Sequence, residues 1–377
     1  MKRRIELRRW SLVLVVGLIG LKYAGAQNDS ADKFKEGRRL FTKETFGGNG
    51  RTCVTCHSFD TGTVSPEDAQ KRFRENRRDP LFLFDGSDDG QGRGVSRILQ
   101  DATILITIPL PANVSLGDDA AARSVVLRRG IPSTHNTPAL DRVLMLDGRE
   151  PDLPTQALHA IQRHGQVSGA IQESDLLSIA QFELTEQFFS SDALRKFAAG
   201  DGAPKLPAGR TDSEKRGRLF FEDGPVTGPD FKKGACAICH SGPMLNQTNQ
   251  FFPVAGLRFQ SINVSEFNAT GNPVRPFVFR NPDGTQVTVW SPDPGRALIT
   301  GVPFANGGPP FLFDANAFKI PSLWGVKDTA PYFHDNSAKT LEDVAAHYAR
   351  FLPLTPAPAF LTQHDQQDIV AYLRLLE

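Results

Sequence analysis

The sequence predicts a mainly α-helical protein built as two tandem copies of one domain, with short β-hairpin insertions. Three observations carry that expectation. All four cysteines of the 377-residue chain fall in two clusters of one pattern, Cys53-Val54-Thr55-Cys56-His57 and Cys236-Ala237-Ile238-Cys239-His240. Smaller landmarks recur behind each cluster at a near-constant spacing. Ile131-Pro132-Ser133 returns as Ile320-Pro321-Ser322 at an offset of 189, and Asp147, Leu153, Ala157 and His159 return as Asp335, Leu341, Ala345 and His347 at an offset of 188. Apolar residues at helical spacing flank both clusters.

In chain order, residues 2–9 are basic, residues 10–21 form an apolar run, and Ala24-Gly25-Ala26 fits a small-residue cleavage site. This order reads as a secretory signal peptide, cleaved after Ala26. The competing reading is a membrane anchor, but 12 apolar residues are too few to span a bilayer. No later segment is apolar enough to cross one. Residues 1–26 hold six of the 43 basic residues and one of the 42 acidic ones, so the exported remainder is mildly acidic. That balance offers no electrostatic support for nucleic-acid binding. The expected location is the periplasm.

Residues 31–42 place Phe34, Gly37, Leu40 and Phe41 on one helical face, and Leu40-Phe41 has a counterpart in Leu219-Phe220. The stretch 102–110, ATILITIPL, is apolar and β-rich. The 80–125 region around it reads as wall rather than as a lid. Residues 273–290 pair PVRPFVFR with TQVTVW across Asn281-Pro282-Asp283-Gly284, a hairpin signal. Gly200-Asp201-Gly202-Ala203-Pro204-Lys205-Leu206-Pro207 reads as a linker, which divides the chain at 27–205 and 206–377. Residues 340–352 carry Leu341, Val344, Ala345 and Tyr348 at helical spacing and open with Thr340 and Asp343, close to a capping box. Residues 365–376 close the chain as a helix with Ile369, Val370, Tyr372, Leu373 and Leu376 on its apolar face.

The cysteine pattern points to chemistry. Cys-x-x-Cys-His is the attachment signature of a c-type haem: two thiols add across the vinyl groups, and the adjacent His ligates the iron. A four-thiolate zinc ribbon needs its pairs some 15–20 residues apart, whereas these begin 183 apart. A thioredoxin-like pair needs neither the second pair nor the histidines. The reading is two covalently bound haems c, with His57 and His240 as proximal ligands and Cys53, Cys56, Cys236 and Cys239 as attachment points. Covalent haem attachment outside the cytoplasm agrees with export.

With PSLWGVKDTAPYFHDNSAKTLEDVAAHY behind the second cluster, NTPALDRVLMLDGREPDLPTQAL behind the first, and Asp293-Pro294-Gly295-Arg296, the chain resembles the bacterial di-haem cytochrome c peroxidase family, which includes the MauG-like enzymes. The likeness covers nearly all of residues 31–377. It implies two tandem cytochrome c-like haem domains facing each other, with a calcium ion between them. It further implies that hydrogen peroxide reacts at the N-terminal haem and that electrons from a small cytochrome or cupredoxin pass through the C-terminal one. Homodimerisation is a family expectation. Asn136, Thr329 and Pro331 match the family's calcium positions, through side-chain or carbonyl oxygens that suit a hard cation; a turn residue before Pro138 is the other reading of Asn136. Gln156 matches a distal-pocket glutamine.

Departures from the family pattern are as informative. Gln166 stands where the family has its catalytic glutamate, and glutamine cannot shuttle a proton. His164, two residues away, could substitute, or be a surface or propionate-bonded residue. No His lies between His57 and His135, so the first haem lacks the family's removable distal His; His135 is the remaining candidate. Met145 and Met244 are the only methionines beyond Met1, and Met244 lies too near His240 to be its distal ligand. The distal position of the second haem holds Tyr348, as in the MauG-like branch, with His347 as neighbour and core packing as the other reading. The family's inter-haem tryptophan is Leu146 here, while Trp324 stands elsewhere. His334 reads as a hydrogen-bonding structural residue rather than a ligand, and Arg149 and Arg296 as propionate or domain-contact partners. Three functions follow: a peroxidase-like di-haem oxidoreductase, a MauG-like enzyme oxidising a protein or organic substrate, and a di-haem electron carrier.

Overall fold

The computed structural model describes residues 34–225, 232–304, 313–356 and 358–377. The signal-peptide reading of residues 1–26 lies outside them. Helices dominate, with a few short strands. Residues 34–43 are helical and bury Leu40 and Phe41, the face the apolar spacing selects. The helix Leu341–Phe351 opens with the expected box, in which the Thr340 side chain accepts from the Asp343 amide and the Asp343 carboxylate caps the Thr340 amide. The closing helix runs Gln363–Leu373. No helix among the described residues is long and apolar enough to cross a membrane.

One helix crossing is built twice. A Cβ on Gly37 would lie 2.0 Å from the Ser178 carbonyl oxygen and 2.8 Å from the Phe182 Cβ; a Cβ on Gly217 would lie 2.0 Å from the Asp368 carbonyl oxygen and 2.8 Å from the Tyr372 Cβ. Only glycine lets two helix backbones approach this closely. The first crossing joins residues 34–43 to the helix Glu173–Glu183, the second joins Asp212–Leu219 to Gln363–Leu373. This geometry corrects the expected pairing of Leu40-Phe41 with Leu219-Phe220. The glycines align Leu40 with Phe220 and Phe41 with Phe221, and Leu219 faces solvent at 42% exposure. Phe41 packs on Phe182 at 5.5 Å, as Phe221 does on Tyr372 at 5.4 Å.

The strands pair into short two- and three-stranded sheets. Thr103–Pro109 pairs antiparallel with Ser124–Gly130, a partner the sequence pattern did not reveal. Arg275–Arg280 and Gln286–Ser291 form the expected hairpin. Its outer edge receives Val114–Leu116 from the first half of the chain. Ile104, Ile106 and Ile108 point inward and share one core with Phe277 and Phe279, so the two halves are joined through β-structure. Beneath that core Arg129, fully buried, donates to both oxygens of Asp293 at 2.7 and 2.9 Å and pairs with Asp147. The linker residues 201–207 carry no helix or strand.

Candidate active site

Each Cys-x-x-Cys-His cluster folds as a tight turn. The His57 amide donates to the Cys53 carbonyl at 3.0 Å, and the His240 amide to the Cys236 carbonyl at 2.8 Å. Both imidazoles are held alike, with Nδ1 donating at 2.8 Å to the carbonyl five residues on, Gly62 or Leu245. That bond fixes the tautomer and leaves Nε2 as the basic nitrogen, the arrangement that orients a metal-ligating histidine. Burial pushes both imidazole pKa values down, which favours the neutral, iron-binding form. The four thiols are partly buried, and none is paired in a disulfide.

Buried donors without partners gather near these turns. Thr134 Oγ1 and His135 Nδ1 lie beside the His57–Gly62 loop, where the Thr134 amide bonds Gly62 and His135 Nε2 bonds the Phe59 carbonyl at 3.1 Å. Asn249 Nδ2, Gln260 Nε2 and Ser261 Oγ are orphaned on the His240 side. Unsatisfied buried donors are costly, and haem propionates are the acceptors they suit. The residues present therefore fit a haem at each turn.

The helix Leu153–Arg163, capped by Asp152, walls a cavity of about 390 Å³. The three residues named from the sequence, Gln156, His164 and Gln166, all line it. Met145, Arg149, Glu150 and His159 join them, and Phe84, Leu105 and Thr107 complete the apolar side, so the 80–125 region is wall. Gln166 sits in left-handed backbone at φ +56. Asn49 Nδ2 donates to the Gln166 side-chain oxygen at 3.1 Å and to the His164 carbonyl at 2.9 Å. With its oxygen accepting from Asn49, Gln166 has its NH2 group left as a donor. His164 Nδ1 lies 2.6 Å from an Asp85 carboxylate oxygen. Burial opposes the ionised form of Asp85, but the His164 hydrogen bond and the Arg51 charge hold its pKa below the usual value. His159 Nδ1 lies 2.8 Å from Glu150. Arg149 donates to both oxygens of Asp147 at 2.9 and 3.0 Å, and its buried Nε has no partner. Sequence reasoning missed Asp85, Arg51 and Asn49. Arg51, two residues before Cys53, was the available signal.

The repeat offset of 188 sets Tyr348 opposite Ala160, and Ala160 lines the first cavity. A small residue leaves space where the second copy places a phenol. Burial raises the Tyr348 pKa, with further contributions from Cys239 and Cys236, so the ring lies beside the second attachment turn. His347 is otherwise engaged: Nε2 contacts the Ile262 carbonyl at 2.8 Å and the ring packs on Phe333. His135 has its Nε2 on Phe59. His334 stacks on Phe318 at 3.7 Å between centroids, and its carbonyl accepts from the Gly130 amide at 2.8 Å, a structural role. Trp324 is buried and donates to the Pro243 carbonyl at 2.9 Å, and Met244 shares its core. Arg296 bonds the Asp147 carbonyl at 2.9 Å, a contact between the halves.

Of the calcium candidates, Asn136 is buried and engaged at both ends of its amide. Nδ2 donates to Ser190 Oγ at 2.8 Å and to the Trp324 carbonyl at 3.0 Å, while Oδ1 accepts from the Ser190 amide at 2.9 Å. One Oδ1 lone pair is left for a cation. Thr329 Oγ1 donates to the Val326 carbonyl at 3.1 Å, and Pro331 is buried. All three candidates offer neutral oxygens, and among the described residues no group of three or more His, Cys, Asp or Glu side chains is placed to hold a metal ion.

No protein-family model matches the chain. Over 371 residues it is 24% identical to the cytochrome-c peroxidase IdrP2 of Denitromonas iodatirespirans, covering 93% of this chain and 83% of that one. Over 241 residues it is 26% identical to the cytochrome c551 peroxidase of Nitrosomonas europaea, covering 61% of this chain and 60% of that relative, less than two thirds of its length. Among solved structures, a MauG-like protein associated with microbial copper homeostasis superposes with a TM-score of 0.50 at 20% identity, over 92% of this chain and 88% of that one. That last likeness is one of fold.

Proposed function

Because the chain belongs to the bacterial di-haem cytochrome c peroxidase family, MauG-like enzymes included, we propose that it is an exported di-haem oxidoreductase that reduces hydrogen peroxide. When bound, two haems c in two tandem cytochrome c-like domains would supply the redox chemistry, with peroxide reduction at the N-terminal haem and electron entry through the C-terminal one. The observation that carries this reading is the asymmetry at one point of the repeat: Ala160 in the first copy, Tyr348 in the second. The chain's residues divide the work accordingly. Cys53, Cys56, Cys236 and Cys239 anchor, and His57 and His240 orient through their Nδ1 bonds. Gln156 and the Gln166 amide offer hydrogen bonds to a small oxidant, and Phe84, Leu105 and Thr107 line the facing wall of the cavity. The donor is a small cytochrome or cupredoxin. A calcium ion on Asn136 Oδ1 and the Thr329 and Pro331 carbonyl oxygens is part of the proposal and takes no part in these steps.

The test is optical. Pyridine haemochrome should give two haems per chain, and the resting ferric protein should show one high-spin, five-coordinate haem. Peroxide should shift the Soret band of the half-reduced protein. Two six-coordinate, low-spin haems indifferent to peroxide would instead identify an electron carrier. Tyr348 favours a second reading, MauG-like oxidation of a protein or organic substrate. Oxidised substrate formed under peroxide without an added donor would select it.

A further inference from the structure

The cavity beside the first attachment turn contains a histidine–carboxylate pair that the family pattern did not announce. His164 stands at the C-terminal end of the helix Leu153–Arg163, and its Nδ1 faces Asp85 at 2.6 Å. Asp85 is 4% exposed and its other carboxylate oxygen pairs with the Arg51 guanidinium. Arg51 is held in turn by the carbonyls of Pro80 at 2.9 Å, Leu81 at 3.1 Å and Leu83 at 2.6 Å, and it also reaches the His164 carbonyl at 3.2 Å. A buried aspartate sharing a pair with arginine is ionised, so it accepts, and the Nδ1–H of His164 must donate. Nε2 is then the nitrogen with a free lone pair, and among the described residues it has no hydrogen-bond partner.

We propose that His164 is the proton-transfer group of this cavity and that Asp85, anchored by Arg51, is the positioning residue that fixes its tautomer. The inference rests on the peroxidase reading above. Gln166 cannot release or accept a proton, whereas an imidazole can do both. The proton on one oxygen of hydrogen peroxide passes to Nε2, and the imidazolium so formed is paired with the Asp85 carboxylate. The same proton then goes to the other oxygen, which departs as water when the O–O bond breaks. With two protons from solvent and two electrons from the small redox protein, H2O2 becomes two H2O. The Gln166 amide donates a hydrogen bond and exchanges nothing. The charged or titratable groups around His164 are Asp85 and Arg51, His57 within electrostatic reach, and Arg149, Glu150, His159 and Arg163 along the cavity wall.

Two probes on the holoprotein separate this inference from the reading it rests on. Peroxide reads turnover. Cyanide reads proton acceptance alone, because it enters as HCN and must lose its proton to bind as the anion. For His164→Gln the second-order rates with both probes should fall about 10²–10⁴-fold, and the pH profile of the cyanide rate should change with them. Asp85→Asn should lower both rates by about 10–100-fold, and the double variant should be no slower than His164→Gln, since the aspartate acts only through the histidine. Haem content and the resting ferric spectrum should be unchanged. His164→Gln rates within twofold of the parent, or a change of its resting haem from low to high spin that marks His164 as an iron ligand, would overturn the inference. If the parent ignores peroxide but keeps a cyanide rate that depends on His164, the peroxidase reading fails and the inference stands. Should Asp85→Asn fail to accumulate, His164→Gln, whose side chain is 27% exposed, carries the test.

Discussion

Tyr348 and Ala160 differ by one ring at equivalent points of the repeat, and that difference sets the expected behaviour of each half. A phenol ligand lowers an iron potential relative to methionine. Under the proposal that Tyr348 ligates the second haem, as the family resemblance implies, Tyr348→Phe should alter the ferric spectrum of one haem only, read by electron paramagnetic resonance, and leave the peroxide-reactive signal in place. Glu183 poses a different single-residue problem. It is 5% exposed, one of its oxygens is unpartnered, and burial pushes its pKa up to about 8 from an ordinary 4.5. The folded state thus holds a proton that the unfolded chain releases. Stability from this site is full below about pH 4.5, declines as pH rises, and is lost by about pH 8. Glu183→Gln should flatten that slope, as measured by urea unfolding between pH 5 and 8.5.

At the scale of elements, the two glycine crossings decide where the helices sit. Any side chain at Gly37 or Gly217 meets a backbone carbonyl at 2.0 Å, and backbone cannot rotate away as a flexible side chain can. Gly217→Ala should cost about 1–3 kcal/mol or more by overpacking, seen as a lower unfolding midpoint, whereas Gly169→Ala, with nothing within 4 Å of the added carbon, should be near neutral. Helix termini behave as local chemistry dictates. Thr211 with Glu214, Thr340 with Asp343 and Thr362 with Asp365 each form a reciprocal box. The Thr340 box was legible because side chain and backbone partners lie three residues apart.

Across the whole molecule, the halves are tied by contacts far apart in sequence. Val114–Leu116 adds to the sheet of the second half, Asn136 bonds Trp324, Asn336 bonds the carbonyls of Asp101 and Ala102, and Arg129 lies between Asp147 and Asp293 with no exposure. Removing one partner of a buried ion pair strands the other, at about 3–5 kcal/mol. A protease site placed within residues 200–207 should accordingly yield two fragments that co-elute on size exclusion. In Arg129→Met the same nick should release them.

The sequence by itself determined the local features: both Cys-x-x-Cys-His clusters, the amphipathic helices over 31–42, 340–352 and 365–376, and the hairpin of residues 273–290. All of these follow from spacings of a few residues, where backbone geometry alone sets what meets what. The family resemblance singled out the Tyr348 position. Only the tertiary structure decided the one-residue register between Leu40-Phe41 and Phe220-Phe221, because helix contact chose the glycines and not the matching letters. It alone supplied the strand partner Ser124–Gly130, the join of Val114–Leu116 to the second half, and the Arg51–Asp85–His164 chain. Those partners lie tens to hundreds of residues apart, and their pairing is set by burial and by the need of each buried charge and amide for a partner, which no local pattern encodes.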